Sequence, residues 1–437
     1  MRTSKRQIFS FDISLFLIMT LLITLSIIAL YSVGYNKSIY SSLYLKQFLW
    51  FALGLIIMLF IFAVNMNKIN SLSTIFYVSI LILLVLTLIF GKTVRGTKGW
   101  IVLGSVNFQF SELAKIITIL SLAKYLEYHF NELNQIRKLL LPFGIGLFPV
   151  FFILLQPDLG TTLAFFPIII VMLYLSGANT KNIVYLLIIG IISILLPLLL
   201  SYYEFKGILE NKIWIKTLLS SSFLIYIITI LFLLWIILKI INKFYPEYVI
   251  LNRISTLIII VVIILIFSFV LLHSLKPYQK RRLLVFLDPA IDPYGTGYNI
   301  VQSKITIGSG RFLGKGFLQG SQTQLGFLPE QNTDFVITVI GEEFGWVGMT
   351  ILLLLYFLFI LQGFSITYTA KDVYSSLVAG GITTMFAFGI FINIGVTIGI
   401  MPVTGVPAPF LSYGGSSLIS SMIATALLIN IKSQRFL

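Results

Sequence analysis

The feature that most constrains this chain is a series of uninterrupted apolar runs, each close to the length of a membrane span. They cover residues 13–33, 45–65, 71–90, 112–126, 139–155, 161–177, 182–202, 217–238, 254–273, 336–363, 375–399 and 412–431. A helix needs ~20 apolar residues to cross the hydrocarbon core of a bilayer. A transmembrane β-strand would alternate apolar and polar residues, and these runs do not. At membrane depth the backbone must satisfy its own hydrogen bonds, which leaves spanning helices as the solution. The expected fold is therefore all-α, a polytopic transmembrane helical bundle of about 10–12 spans. The run at 112–126 is short. The runs at 139–155 and 161–177 are parted only by the stretch from Gln156 to Gly160, as a tight hairpin or one broken helix.

Charge narrows the function. Charged residues make up 10% of the chain and hydrophobic ones 58%, against ~25% and ~45–50% in soluble domains. That balance excludes a soluble enzyme, a disordered chain and a nucleic-acid-binding protein, so no nucleic-acid partner is expected. The 30 Lys+Arg against 15 Asp+Glu match the positive charge that membrane proteins collect in cytoplasmic loops. There is no cysteine, and the two histidines, His129 and His273, cannot build a multi-histidine metal site. The basic start Met1–Gln7 precedes an apolar run of full spanning length, which reads as a retained first helix. Arg2, Lys5 and Arg6 place it on the cytoplasmic side, and an even number of spans returns Lys432 and Arg435 to the same side.

Two basic loops then fall on the opposite face. Residues 91–111 carry Lys92, Arg95 and Lys98; residues 274–335 carry Lys276, Lys280, Arg281, Arg282, Lys304, Arg311 and Lys315. External cations at a membrane surface suit an anionic ligand such as a lipid pyrophosphate. A structureless segment of about sixty residues is uncommon and usually functional. The chain reads as one transmembrane domain over 1–437, with 203–253 an inserted helical hairpin region and 274–335 a large extracytoplasmic loop.

The polar and Gly/Pro-rich sequence gathers in four places: 91–115, 156–162, 274–345 and 399–417. In the first, Ser111 is a candidate N-cap and Glu112 suits a helix N-terminus. Glu112 and Lys115 are three apart and share a helix face. They are either an ordinary capping arrangement with Trp100 as interfacial anchor, or a charged pair that helps hold an anionic head group; such a pair is costly inside a membrane helix. Asp158 either caps the next helix or lines the rim of a polar cavity. In the long loop, Asp288 and Asp292 precede prolines and read as turn formers. The glycines of 308–316 permit tight turns and close backbone approach to a ligand. Asp334 stands where the loop meets an apolar helix, beside Thr333 and four residues after Glu330. It is a helix cap or, partly desolvated, a group suited to proton abstraction. Glu342 and Glu343 lie in a polar cavity or pair with Lys or Arg, a structural ion pair being the favoured role. Three prolines keep 401–409 from being helical; the segment, with Ser416 just beyond it, is a plain connecting loop or, as its length and polarity favour, the wall of a cavity at membrane depth.

In order along the chain stand Lys98-Gly-Trp100, Ser111-Glu-Leu-Ala-Lys115, Gln156-Pro-Asp-Leu-Gly-Thr161, Asp292-Pro-Tyr-Gly-Thr-Gly-Tyr298, Leu328-Pro-Glu-Gln-Asn-Thr-Asp-Phe335, Gly341-Glu-Glu-Phe-Gly345 and Pro409-Phe-Leu-Ser-Tyr-Gly-Gly-Ser-Ser417. This set resembles the SEDS family (shape, elongation, division and sporulation; RodA, FtsW and SpoVE), over nearly the whole chain apart from 203–253. Residues 302–310 and 320–330 look most like the RodA branch. The chain departs from the family's usual pattern in about twelve spans rather than ten, in Asn332 where a histidine is usual, and in Phe110 where proline is frequent.

The resemblance implies a peptidoglycan glycosyltransferase on the outer face of a bacterial cytoplasmic (inner) membrane, serving cell elongation and rod shape. Its substrates would be lipid II and the growing glycan strand, within membrane lipid, and its partner a class B penicillin-binding protein that supplies the transpeptidase. Asp334 matches the family's proposed catalytic acid, and Trp100 a position the family needs. The expected substrate-binding set around Asp334 is Arg95, Lys98, Trp100, Glu112, Lys115, Asp158, Lys304, Glu330, Thr333 and Ser416. No cofactor is assigned by any motif; a divalent cation, Mg or Mn, is the one such group the chemistry could use. Two other readings compete: a flippase of lipid-linked cell-wall precursor and a non-catalytic scaffold. The polar motifs lie mostly at one membrane face, which counts against a charged path across the bilayer.

Overall fold

The computed structural model describes all residues except 1–11, 37–39, 95, 105, 131, 134, 206–220, 246, 275–283, 289–290 and 436–437. Arg95, the basic start Met1–Gln7, and the loop cations Lys276, Lys280, Arg281 and Arg282 lie outside the described residues, as do parts of 203–253.

Each apolar run is a helix. They are α1 (Ile13–Gly34), α2 (Leu43–Ala63), α3 (Met66–Phe90), α4 (Phe110–Tyr128), α5 (Leu140–Leu155), α6 (Leu159–Leu175), α7 (Thr180–Phe205), α8 (Ser221–Phe244) and α9 (Val249–Ser274). After α10 (Thr296–Ser309) and α11 (Ser321–Leu325) come α12 (Val336–Thr369), α13 (Val373–Thr397) and α14 (Gly415–Gln434). Among the described residues nine helices are long and apolar enough to cross a membrane, and α5 and α6 are shorter apolar helices. The protein is a multi-pass membrane protein. Caps set several helix starts. Asp12 accepts from Leu15 N, Asn65 Oδ1 from Asn67 N at 2.9 Å and Asp372 Oδ1 from Ser375 N at 2.8 Å, each satisfying one of the orphan amides of a first turn.

The chain divides into two compact units, Met1–Asn179 with Asn299–Leu437, and Thr180–Tyr298. In the second, α9 packs on α7 and α8, and Ser268 Oγ donates to Ser193 O at 3.2 Å. There Asp292 O accepts from Gly295 N and Gly297 N at 3.3 and 3.1 Å, the turn expected of an Asp-Pro pair.

In the first unit α13 and α14 are the innermost helices, with 78% and 83% of their apolar windows buried. Helices without a hydrophobic driving force in lipid rely on close packing through small residues. Gly381 shows why: a Cβ there would stand 2.7 Å from Ile119 of α4 and 2.9 Å from Met172 Sδ of α6. On the other side of α13, Phe359, Phe386 and Phe410 form a buried aromatic group with centroids 5.0–5.3 Å apart.

Two departures from the sequence reading matter for the site. Residues 92–109 form a three-stranded antiparallel sheet, β1 (Lys92–Val94), β2 (Thr97–Leu103) and β3 (Val106–Gln109), with Trp100 opposite Gln109. The long loop is not structureless, because α10 and α11 lie within it.

Candidate active site

The sheet runs directly into α4. Because β3 ends at Gln109 and the helix begins at Phe110, Ser111 lies inside the first turn and is not the N-cap; its Oγ is buried without a hydrogen-bond partner. Glu112 and Lys115 pair as expected, with Lys115 Nζ 3.1 Å from both Glu112 Oε1 and Oε2, and the two residues are only 6% and 8% exposed.

Asp158 stands beside this pair. It caps α6, accepting from Thr161 N at 3.1 Å and Thr161 Oγ1 at 2.7 Å. It also accepts from Gln109 Nε2 at 2.7 Å, so the helix cap is at the same time linked to the end of β3. Burial pushes its carboxyl above the ordinary value, opposed by the Thr161 hydrogen bonds; the nearby Glu112 pushes it further and Lys115 pulls it back. The sheet is tied to the same turn, since Lys98 N donates to Gln156 O at 3.1 Å. Trp100 is half-buried on β2 opposite Gln109. Glu112, Lys115 and Asp158 thus form one cluster, to which the strand carrying Lys98 and Trp100 is tied through its backbone, while the Lys98 ammonium donates to Ile89 O at 3.5 Å.

Asp334 is half-buried at the end of the loop before α12. It is not the N-cap of α12, a place taken by Phe335. Its neighbours are held firmly. Ser412 Oγ donates to Thr333 O at 2.6 Å and accepts from Ala408 N at 2.8 Å; Tyr413 N donates to Asn332 O at 2.9 Å. Asn393 Nδ2 donates to Asp334 O at 3.2 Å and to Val406 O at 2.9 Å. Thr333 Oγ1 donates to Glu330 Oε2 at 3.2 Å, which places Glu330, Thr333 and Asp334 in one turn.

The segment 399–414 is non-helical, as its prolines require, and stands as a wall against both the Asp158 turn and Asp334. A Cβ on Gly160, beside Asp158, would stand 2.5 Å from Thr404 O; a Cβ on Gly405 would stand 3.9 Å from Asp334 Oδ2. Two polar atoms of this wall and its supports, Thr404 Oγ1 and Asn393 Oδ1, are buried without partners, as is Gln156 Oε1. Ser416 is buried at the start of α14, just past the wall. Lys304, on α10, rests on the other end of the segment, its Nζ 2.8 Å from where a Cβ on Gly399 would be. Among the described residues no three His, Asp or Glu side chains converge on one metal position.

Gln109, Gln156 and Asn393 escaped the sequence reading as site residues. Asn393 had a signal: it is a lone amide in the apolar stretch Phe391-Ile-Asn-Ile394, and polar side chains inside spans are costly and seldom idle. The glycines of 308–316 do not all serve a ligand. A Cβ on Gly310 or Gly314 would meet the backbone carbonyls of Gly341 and Glu343 at 1.9 and 2.1 Å.

The family model FTSW_RODA_SPOVE, described as "Cell cycle protein", matches residues 7–226 and 248–436. The chain is 36% identical over 436 residues to the peptidoglycan glycosyltransferase RodA of Treponema pallidum (strain Nichols), covering 98% of this chain and 99% of that protein. It is 33% identical over 384 residues to the peptidoglycan glycosyltransferase MrdB of Escherichia coli (strain K12), covering 88% and 84%. Its fold matches a chain of a solved peptidoglycan synthase complex that coordinates polymerization and crosslinking, with a TM-score of 0.68, 27% identity and 98% of each chain covered. It also matches the fold of the Thermus thermophilus rod shape determining protein RodA, with a TM-score of 0.61, 23% identity and 98% of each chain covered. By the extent of the family match, this chain belongs to the FtsW/RodA/SpoVE family of cell cycle proteins.

Proposed function

We propose that this chain is a peptidoglycan glycosyltransferase that polymerises lipid II into glycan strands. The observation that carries the reading is the wall segment 404–406, which lies against the Asp158 turn on one side and Asp334 on the other. It brings a half-buried acid close to a buried cluster containing a cation.

The chemistry follows from that pairing. The sugar hydroxyl of one lipid II attacks the anomeric carbon of a glycan strand held on undecaprenyl pyrophosphate. A β-1,4 bond forms, the anomeric carbon inverts, and undecaprenyl pyrophosphate leaves. Asp334 takes the hydroxyl proton. A pyrophosphate leaves without general-acid help, unlike the alcohol released by a glycoside hydrolase, so one carboxylate suffices. Lys98, Lys115 and Arg95 would meet the charge of the leaving pyrophosphate. A divalent cation, Mg or Mn, would assist them, because such ions take one or two carboxylates and complete their shell from substrate phosphates.

On the same reading the site faces outward from the cytoplasmic membrane of a bacterium, 274–335 is its extracytoplasmic loop, and 203–253 adds a helical hairpin to the single domain. The enzyme works in cell elongation beside a class B penicillin-binding protein.

Polymerisation of lipid II by the purified chain with its penicillin-binding protein tests the proposal. Asp334→Asn should cost ~10²–10⁴-fold in rate. Equal product from a well-folded Asp334→Asn would move the base elsewhere, with Glu330 next to try. No product from either protein would sink the polymerase reading and leave lipid II translocation in vesicles as the assay to run.

A further inference from the structure

Glu342 and Glu343 stand outside the clusters just described, at a break in α12. Gly345 has φ 64° and ψ −155°, so the helix is interrupted there. In an unbroken helix the carbonyls of residues 342 and 343 would accept from the amides of residues 346 and 347. Here they accept from Lys315 N and Gly316 N, both at 3.0 Å, while Trp346 N and Val347 N donate to Arg311 O and Phe312 O at 2.9 and 3.2 Å. The loop 311–316 is threaded into the break. Gly314 makes the approach possible: its φ is +84°, and no Cβ fits against Glu343 O.

The Glu342 side chain extends this grip. It is 0% exposed. Oε1 accepts from Lys315 Nζ at 2.7 Å and Gln322 N at 2.9 Å. Oε2 accepts from Thr323 N at 2.9 Å and Thr323 Oγ1 at 2.7 Å. One buried carboxylate therefore fixes both the threaded loop and α11. On its other side α11 is tied to α1, where Gln324 Nε2 donates to Ser32 O at 3.1 Å and Ser32 Oγ at 3.0 Å.

The chain of contacts continues to the acid. Gln331 Nε2, in a residue only 3% exposed, donates to Thr323 O at 3.3 Å. Gln331 lies three residues before Asp334. A fully satisfied buried network fixes geometry, and a partly satisfied one releases it. We infer that Glu342 is a positioning residue for Asp334, acting through the backbone of Thr323 and the side chain of Gln331. The inference rests on the reading of Asp334 as the base.

The decisive variant is Gln331→Leu, which cuts the last link and leaves Glu342 with its hydrogen bonds from Ser309, Lys315, Gln322 and Thr323. It is compared with wild type, Glu342→Gln and Asp334→Asn, each as the full chain with its penicillin-binding protein. Lipid II polymerisation and amide hydrogen exchange over 311–335 are read together. Gln331→Leu should lower kcat by about 10- to 100-fold, the scale of a small misplacement of a reacting group. KM for lipid II should stay within about twofold, and exchange should quicken over 329–335 but not over 315–325. Glu342→Gln should quicken exchange over both stretches. Wild-type kcat in Gln331→Leu, or a lost kcat with unchanged exchange, overturns the inference. If Glu342→Gln fails to fold, Gln331→Leu alone decides. Asp334→Asn separates the two readings: its exchange should match wild type, and full activity from it would remove the base while the exchange results still report whether Glu342 holds the loop.

Discussion

The buried pair Glu112–Lys115 offers a sharp test of how charge is used here. At 3.1 Å and an effective dielectric near 20, its gross attraction is about 5 kcal/mol before desolvation. Lys115→Met removes the cation and leaves two buried carboxylates, Glu112 and Asp158, facing each other. Breaking one side of a buried pair costs about 3–5 kcal/mol. The helix N-terminus beside Glu112 returns roughly 0.3–1 kcal/mol of that, so the expected loss is about 3 kcal/mol. The double variant Glu112→Leu/Lys115→Met removes both charges and should return close to wild-type stability, because an apolar replacement of a buried pair is often neutral or better. The assay is thermal unfolding in detergent followed by tryptophan fluorescence, with lipid II polymerisation on the same samples. On the proposed function the recovered double variant should still lack activity, because that reading makes Lys115 a cation that meets the leaving pyrophosphate. Lys115→Met melting with wild type, or a double variant melting below the single one, would refute the electrostatic argument. Full activity in the double variant would remove the pair from the substrate site.

Three further expectations follow from the geometry. Gly345→Ala should lower both the melting temperature and activity: the backbone region costs about 1–3 kcal/mol for a side-chain-bearing residue, and its Cβ would stand 2.3 Å from Gly314 N. Asn393→Leu strips the donor from Asp334 O and Val406 O, at about 1–3 kcal/mol for each carbonyl left unsatisfied; an unchanged melting temperature would show that water replaces the amide. For Asp158, a folded pKa raised above 3.8 means that its stabilising share is complete below that value and is lost as pH rises through the raised pKa. Asp158→Asn should therefore gain stability relative to wild type as pH increases, and a gap in melting temperature that stays constant with pH would contradict the direction.

Much of the architecture was legible because membrane-spanning length is a coarse signal. Runs such as 13–33 and 375–399 became Ile13–Gly34 and Val373–Thr397 with small shifts at the ends. Asp334 and the proline-rich wall were also legible as candidates, since an acid at the edge of an apolar helix and a non-helical segment at membrane depth are both expensive features. What stayed hidden depends on long-range pairing. The strands at 92–109 are short, and β1 is defined by its partner in β2 rather than by its own pattern. Ser111 has the right chemistry for a cap, but the preceding strand delivers the chain to the helix two residues earlier, at Gln109. The break at Gly345 lies within one apolar run, and only the arrival of residues 311–316 shows why it is there.

That break also bears on how the site experiences the bilayer. A continuous helix from 336 to 369 would measure about 50 Å at 1.5 Å per residue, well beyond a hydrocarbon core of about 30 Å. Helices that exceed the local thickness respond by tilting or kinking. In a rigid rod of that length any tilt would reach the first turn, two residues past Asp334. The interruption at Gly345 makes the rod begin at residue 346 and gives the segment 336–344 to the loop that holds it. Changes in lipid thickness can then be absorbed by the span while the acid keeps its orientation toward the wall.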